Sequence, residues 1–426
     1  MPDSLRARQQ PGFGPVFTRK EDDVKRSRLA AGLAALALLA AGCGGSSKAS
    51  SSNKGPIPIG VLTSLTGTFT PWGIQTRDGS QLAVDEINAS GGIHGRKLQL
   101  FVADDGSSPT TGIDSFRRLT QQDHVVALGG LIDSDVATAT ARLAEQAHIP
   151  MFLVKAGASE ILTASSRYTF RTCLPSAAEV AGPILQYAEA HHLNSVGAIS
   201  ADYAWGQAVK SSLESTFAKD PSIQLHQEVA PVTATDFTTY LRALMPYKPQ
   251  LIVATGHPPG SGPILVQSGQ LGMNVPVAGA YTPFSLVVKA AGKLTYGRWA
   301  DFKCEAVDSP GFQSLARKFL KAYPSDTFFE DDALAGYAWV HIVAQAIGAV
   351  GDNPVKIAAY VHAHTFSIPG YTFPLKWTKW GEMADAQIAF DVVTAGPAPA
   401  GLNTGGTWYP KQLYLSKPLT PYQPGT

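Results

Sequence analysis

After Pro56 the chain alternates between two hydrophobic periods. Short apolar runs rich in β-branched residues (IPIGVL, KLQLFVAD, VVALGG and IPMFLV) predict strands. Between them, QLAVDEIN and the stretches 111–121 and 136–147 carry apolar residues every three or four positions, which predicts helices. The first of these stops at Gly91-Gly92, a helix-ending pair. A second series follows: SVGAIS as a strand, 206–217 as a helix, SIQLHQEVA as a strand, 237–245 as a helix, LIVAT as a strand, 263–271 as a helix and VPVAGA as a strand. Helical spacing returns at 311–322 and 333–350, and QIAFDVV reads as one more strand before a tail of Gly, Pro and aromatic residues. Strands alternating with helices of this length predict an α/β fold with parallel sheets covered on both faces. Two such series predict two lobes of similar build.

In open α/β sheets a ligand sits beyond the carboxyl ends of the strands. Those ends are Thr63–Trp72, Asp104–Pro109, Gly129–Asp135, Lys155–Ser159, Ala201–Trp205, Thr255–Pro258 and Ala280–Thr282. They carry Trp72, Asp133, Ser134, Ser159, Tyr203, Trp205, His257 and Tyr281. Aromatic walls with a few fixed polar groups are the make-up of a small-molecule pocket. Each residue alone reads more readily as loop packing or solvent exposure; the joint pattern is what points to a ligand.

The start of the chain has a different character. Residues 29–43, LAAGLAALALLAAGC, form an apolar run preceded by KRSR and followed by GGSSKASSSNKG. A run of about thirteen apolar residues with these flanks suits a secretory signal, whereas a spanning helix needs about twenty. A cysteine at the small-residue junction resembles a bacterial lipoprotein signal, which implies cleavage before Cys43 and lipid on it. Ala40 stands where that family usually has Leu. An ordinary cleaved signal and an apolar core helix are the other readings. Signal peptides begin near their basic residues, so the sequence predicts a true start at Val24; an N-terminal peptide from residues 1–20 in the cell product would refute it. Residues 1–43 are thus expected to be extension plus signal, and 44–55 a flexible tether.

The remaining chain is too long for one ordinary domain and suits two. Lys+Arg 34 against Asp+Glu 33 gives a net charge of +1, so no strong field favours nucleic acid. No later apolar stretch is expected to span a membrane. With Cys43 lipidated, Cys173 and Cys304 remain as a pair in an oxidising compartment. The adjacent His191-His192 and the pair His362 and His364 lack companions at zinc spacing and read as surface residues. No nucleophile elbow, Walker A loop, HExxH or dinucleotide fingerprint is found. Asp104-Asp105 reads as a loop closure rather than a metal site. The expectation is therefore a non-enzyme with no catalytic residues, no metal and no cofactor.

The run VLTSLTGTFTPWG…DGSQLAVDEINASGGIHGRKLQLFVADDGSSP resembles the start of the Leu/Ile/Val-binding type of periplasmic binding protein, the soluble receptors of ABC importers. VVALGG, AHIPMFLVKAGASEILT, YTFRTCLPS and SADYAWGQA follow in that family's order, so the resemblance covers 56–395. It implies a type 1 fold: two Rossmann-like lobes joined by a three-crossing hinge that closes on ligand, with 56–174 and 305–375 in lobe 1 and 175–304 and 376–426 in lobe 2. Trp72 matches an aromatic wall position. Asp133 and Ser134 fall where the family has a Ser that holds the ligand carboxylate. Ala156 to Ala158 match the segment that holds the same end; the Thr position reads Ala158, with Ser159 beside it. Trp205 matches a Tyr of the second lobe, His257 lies at or beside another aromatic, and Tyr281 stands where amino-acid binders carry a Glu for the ligand ammonium. Cys173 and Cys304 fall near the first and second crossings, which run side by side in this family, so the resemblance implies a disulfide there.

A buried ammonium without a carboxylate partner costs several kcal/mol. Tyr281 in place of Glu, with acidic Asp133 at the carboxylate end, argues against a plain α-amino acid. These residues suit a neutral or cationic ligand with a flat or apolar body, such as an amide, heterocycle or aromatic. An amino acid bound in reverse, with Asp133 on its ammonium, stays open. The expected function is capture of a small solute for ABC permease and ATPase subunits by a monomer held outside the membrane by its lipid alone, with no nucleic acid. A sensor subunit for a signalling partner and an extracytoplasmic enzyme are the alternatives.

Overall fold

The computed structural model describes residues 55–402 and 405–425. The leader, Cys43 and the tether up to Lys54 lie outside the described residues. Twelve strands and eleven α-helices follow in the described residues. The first half holds β1 (Ile57–Thr63), α1 (Thr70–Ala89), β2 (Leu98–Asp104), α2 (Pro109–Arg117), β3 (Leu128–Leu131), α3 (Ser134–Ala147), β4 (Met151–Leu153) and β5 (Thr169–Arg171). Then come α4 (Ala177–Ala190), β6 (Ser195–Ala201), α5 (Ala204–Phe217), β7 (Gln224–Ala230), α6 (Thr238–Leu244), β8 (Leu251–Val253), α7 (Ser261–Gln270), β9 (Val277–Ala280), α8 (Phe284–Ala291) and β10 (Trp299–Lys303). The chain closes with α9 (Pro310–Ala322), α10 (Asp331–Val350), α11 (Pro354–Ala363), β11 (Ala389–Ala395) and β12 (Trp408–Leu415).

The strands form two sheets, in the orders β2-β1-β3-β4-β5 and β12-β11-β10-β9-β8-β6-β7. The first is parallel throughout. The second is parallel from β7 to β10, but β11 and β12 run antiparallel, a departure from the all-parallel expectation. A strand returning from the far lobe has no crossover helix to reverse it, so it pairs in the opposite sense. The two-lobed α/β architecture is the one the alternating periods predict.

One face of the first sheet packs on α2 and α3 through Leu62, Phe116, Leu119, Leu131 and Val136, all buried. The other face meets α1 and α10. These two helices touch at glycines: a Cβ on Gly79 would lie 2.0 Å from the Ala333 carbonyl oxygen, and one on Gly336 2.3 Å from that of Thr76. Trp339 then fills the space over Gly129 and donates its indole N–H to Ser80 Oγ at 2.9 Å. By length and composition α10 would cross a membrane, contrary to the expectation that no later stretch does; 67% of its apolar window is buried inside the protein, and it opens on buried Asp331 and Asp332. It is a core helix, hydrophobic all round because it is covered all round.

The chain passes between the sheets three times, after β5, after β10 and after α11. The three segments run together. Thr372 N–H donates to the Cys304 carbonyl (3.0 Å), Ala306 N–H to that of Gly370 (2.7 Å), and the Trp377 indole to that of Arg171 (2.6 Å). Cys173 and Cys304 are disulfide-bonded here, with Cα atoms 5.4 Å apart.

Candidate functional site

Both sheets aim the carboxyl ends of their parallel strands at one space. From the first lobe come Phe69 and Trp72 at the start of α1, Ile132 and Ser134 after β3, and Lys155 after β4. Tyr203 and Trp205 at the start of α5, Pro258 after β8, and Ala280 and Tyr281 at the end of β9 face them. The enclosed space is about 20 Å³, room for about one water. The jaws are shut on each other. Trp72 Nε1–H donates to the Tyr281 carbonyl (3.1 Å), Ala204 N–H to Asp135 Oδ1 (3.2 Å), and Phe284 and Ser285 N–H to the Glu330 carboxylate (2.9 and 2.8 Å). The Phe69 and Tyr203 rings meet at 5.5 Å.

Local sequence explains how each wall is held. Trp205 lies flat in a space that only a glycine leaves open: a Cβ on Gly157 would sit 2.3 Å from its ring, and its indole N–H is fixed on the Thr255 carbonyl at 2.9 Å. Ser134 Oγ accepts the Gly157 and Ala158 N–H groups at 3.1 and 3.2 Å, so its own hydroxyl hydrogen remains available. Tyr281 adopts φ 57°, a left-handed conformation that is an outlier for a bulky residue. Its carbonyl accepts from both Trp72 and Lys155 Nζ (3.4 Å).

Of the residues singled out from sequence, the cavity gathers Trp72, Ser134, Tyr203, Trp205 and Tyr281. The others stand behind it. Asp133 is the N-cap of α3, outside the cavity lining, and accepts from Asp135 N–H at 2.9 Å; burial pushes its carboxyl up to about 7. Ala156 and Ala158 are buried and turn their carbonyls to the Arg171 guanidinium (2.5 and 2.7 Å), whose Nε–H reaches Glu382 at 2.9 Å. Ser159 bonds Ser176, the N-cap of α4, at 2.8 Å. His257 is fully buried. It accepts from Gly260 N–H through Nδ1 (3.1 Å), lies 2.9 Å from the Pro231 carbonyl through Nε2 and packs edge-on against Phe237. Burial lowers its pKa, which keeps it neutral. His257 thus folds the turn that presents Pro258 and stands outside the cavity lining. Asp104 and Asp105 close the β1–α1 and β2–α2 loops, Asp104 by accepting from Leu65 and Gly106 N–H at 2.8 Å each.

The charged residue that sequence reasoning passed over is Lys155, along with the apolar lining residues Phe69, Ile132, Leu174, Pro258 and Ala280. Lys155 lay within one of the strand ends, flanked by small residues, and its charge was the signal. Its side chain is 4% exposed and bonds Asp331 at 2.5 Å, with Asp332 at 3.7 Å. Its Nζ sits 4.8 Å from the Tyr281 ring centroid. Asp331 also binds Lys303 at 3.2 Å. Burial alone would raise the pKa of Asp331, but the two lysines outweigh it and hold the group ionised below the usual carboxylate range. Burial pushes its neighbours Asp332 and Glu305 well up. Among the described residues one group of metal-type donors clusters, Cys173, Cys304 and Asp331, and its sulfurs are joined to each other.

A larger groove of about 560 Å³ opens at the mouth, between Ile74 and Gln75 of α1 and Pro283 and Leu286 at α8. The enclosed cavity, not this open groove, has the convergent donors and lies at the strand ends, where open α/β sheets carry ligands.

Comparison with known proteins agrees with this geometry. The chain is 24% identical over 320 residues to the leucine-, isoleucine-, valine-, threonine- and alanine-binding protein of Pseudomonas aeruginosa, covering 74% of this chain and 84% of that one. An R. palustris ABC-transporter solute-binding protein solved in complex with benzoate superposes with a TM-score of 0.73 at 20% identity, over 86% of this chain and 98% of that one. The branched-chain amino acid binding protein LivJ of Streptococcus pneumoniae, in complex with isoleucine, gives 0.72 at 20% identity, over 86% and 100%. The R. palustris protein is a solute-binding protein of an ABC transporter, and the S. pneumoniae protein a transporter substrate-binding protein. A family model described as periplasmic binding protein matches residues 56–392, most of the sequence, and the chain belongs to that family.

Proposed function

We propose that this protein is the extracytoplasmic receptor of an ABC importer and that it traps a small solute with a flat or branched apolar body between two jaws, residues 56–174 with 305–375 and residues 175–304 with 376–426. The observation that carries the reading is the aromatic cavity at the facing strand ends, bridged by the Trp72–Tyr281 bond. Walls of Trp72, Trp205, Tyr203 and Tyr281 bury apolar surface at about 25 cal/mol per Å². Only the shut state contacts a solute from both sides, so binding draws the open–closed equilibrium toward closure. The closed protein hands the solute to permease and ATPase subunits. Lipid on Cys43 holds the receptor at the outer face of the cell membrane as a monomer. The role in this reading is binding without turnover.

The test is a thermal-shift screen of the purified protein against amino acids, amides and aromatic or aliphatic acids, with small-angle scattering on each hit. A ligand should raise the melting temperature and shrink the radius of gyration. Trp205→Ala should weaken a hit at least tenfold, the loss expected for an aromatic wall. Turnover of a hit, or melting shifts that Trp205→Ala leaves unchanged, would remove this reading.

A further inference from the structure

Resting on the receptor reading, the geometry points to a narrower ligand class: a small carboxylate with an apolar body and no ammonium, held by Lys155, the residue that sets specificity. Three polar groups of the cavity lining are donors, beside the Tyr203 and Tyr281 hydroxyls, which can donate or accept. Trp72 contributes its indole N–H, Lys155 its ammonium and Ser134 a hydroxyl hydrogen, since Ser134 Oγ already accepts from Gly157 and Ala158. Two of these donors now share one acceptor, the carbonyl of Tyr281. A main-chain oxygen of the opposite jaw thus occupies the place of a ligand oxygen, and the left-handed φ of Tyr281 turns it there. A solute bound between the jaws takes the place of that carbonyl, inherits both N–H groups and must offer them an acceptor.

Charge selects among acceptors. Lys155 is the one charged side chain in the cavity lining, and no Asp or Glu lines it. Asp133 is spent as a helix cap, and Asp331 and Asp332 lie on the far side of Lys155, already paired with it. A ligand ammonium would meet a cation and find no carboxylate, at a cost of several kcal/mol. The aromatic walls do not rescue it: the Tyr281 face already carries the Lys155 ammonium at 4.8 Å, which repels a quaternary ammonium as well. A carboxylate gains charge-assisted bonds from Lys155, while an amide gains only neutral ones. The start of α3 adds its positive end through Ser134.

Calorimetry on the purified protein with matched sets decides the matter: benzoate, benzamide and phenylalanine; 4-methylpentanoate, its amide and leucine; and glycine betaine. Within each set the plain carboxylate should bind at least tenfold tighter than the amide and the amino acid, and betaine should not bind. Lys155→Met should abolish that preference, and Lys155→Arg should keep it. The comparison on the unaltered protein stands even where Lys155→Met fails to fold. Tighter binding of an amino acid, amide or betaine would overturn the inference and leave the receptor reading intact. An unchanged preference in folded Lys155→Met overturns the assignment to Lys155. No binding by any compound, here or in the wider screen, sinks both readings.

Discussion

Asp133 shows how one side chain changes meaning between sequence and structure. In sequence it stands beside Ser134, at a strand end, as an acid facing a ligand. In the fold it accepts from Asp135 N–H and starts α3, with its carboxyl pushed up to about 7 by burial. A buried acid of raised pKa holds its proton in the folded chain while the unfolded chain releases it near pH 4. Between about pH 4 and pH 7 the native state therefore binds more protons, and stability falls as pH rises through that window. Asp301, also raised to about 7 by burial, and Asp326, raised to about 6, act in the same direction. Urea midpoints should thus be higher at pH 5 than at pH 7.5. Asn caps a helix as well as Asp does. Asp133→Asn should keep α3 and flatten part of this slope, with the variant more stable than the parent at pH 7.5. A steeper slope, or none in the parent, would refute the buried-acid account.

Among the elements, the α1–α10 contact is the most constrained. Helices that touch at Gly79 and Gly336 approach closer than any side chain allows, and this lets α10 lay Trp339 on the sheet over Gly129. Ala is the better helix former by about 1 kcal/mol. Here the added methyl would meet the Ala333 carbonyl oxygen at 2.0 Å, main chain that cannot rotate away. Gly79→Ala should therefore destabilise by about 1–3 kcal/mol in denaturant melts, against its helix propensity. The start of α10 is equally committed. Asp331 neutralises Lys155 and Lys303 in a fully buried setting, and Glu330 caps α8 across the cleft. This one helix start touches the cavity lysine, the crossing segments and the opposite jaw.

Taken together, the two lobes are joined by three adjacent strands of chain, and the disulfide ties two of them. Cys173 and Cys304 are 131 residues apart, so the bond closes a long loop and restricts the unfolded chain strongly. Cys173→Ser with Cys304→Ser, or reduction of the native protein, should lower stability by about 2–4 kcal/mol. Solute affinity should change less than tenfold, because none of the cavity donors is a cysteine. A large loss of affinity with little loss of stability would instead show that the bond sets the geometry of closure.

How much of this was legible beforehand follows from range. Strands, helices and the two-lobed α/β plan are local patterns repeated along the chain, and period alone reveals them. α1 nonetheless begins at Thr70, well before its apolar spacing becomes regular, because its first turn packs Trp72 into the cleft. The tail strand β12, with a Trp, two Tyr, a Pro and a Lys, carries no clean alternation and is defined by pairing with β11. Strand ends also mark where a site lies, so Trp72, Ser134, Tyr203, Trp205 and Tyr281 were all within reach. Direction was not. Whether a polar residue at a strand end faces the cleft, like Lys155, or turns back to cap and brace, like Asp133, Ser159 and His257, depends on which donors and acceptors the rest of the chain brings beside it. Hydrogen bonds and charges pair over a few ångströms in space, between residues up to hundreds of positions apart, and no local pattern records that pairing.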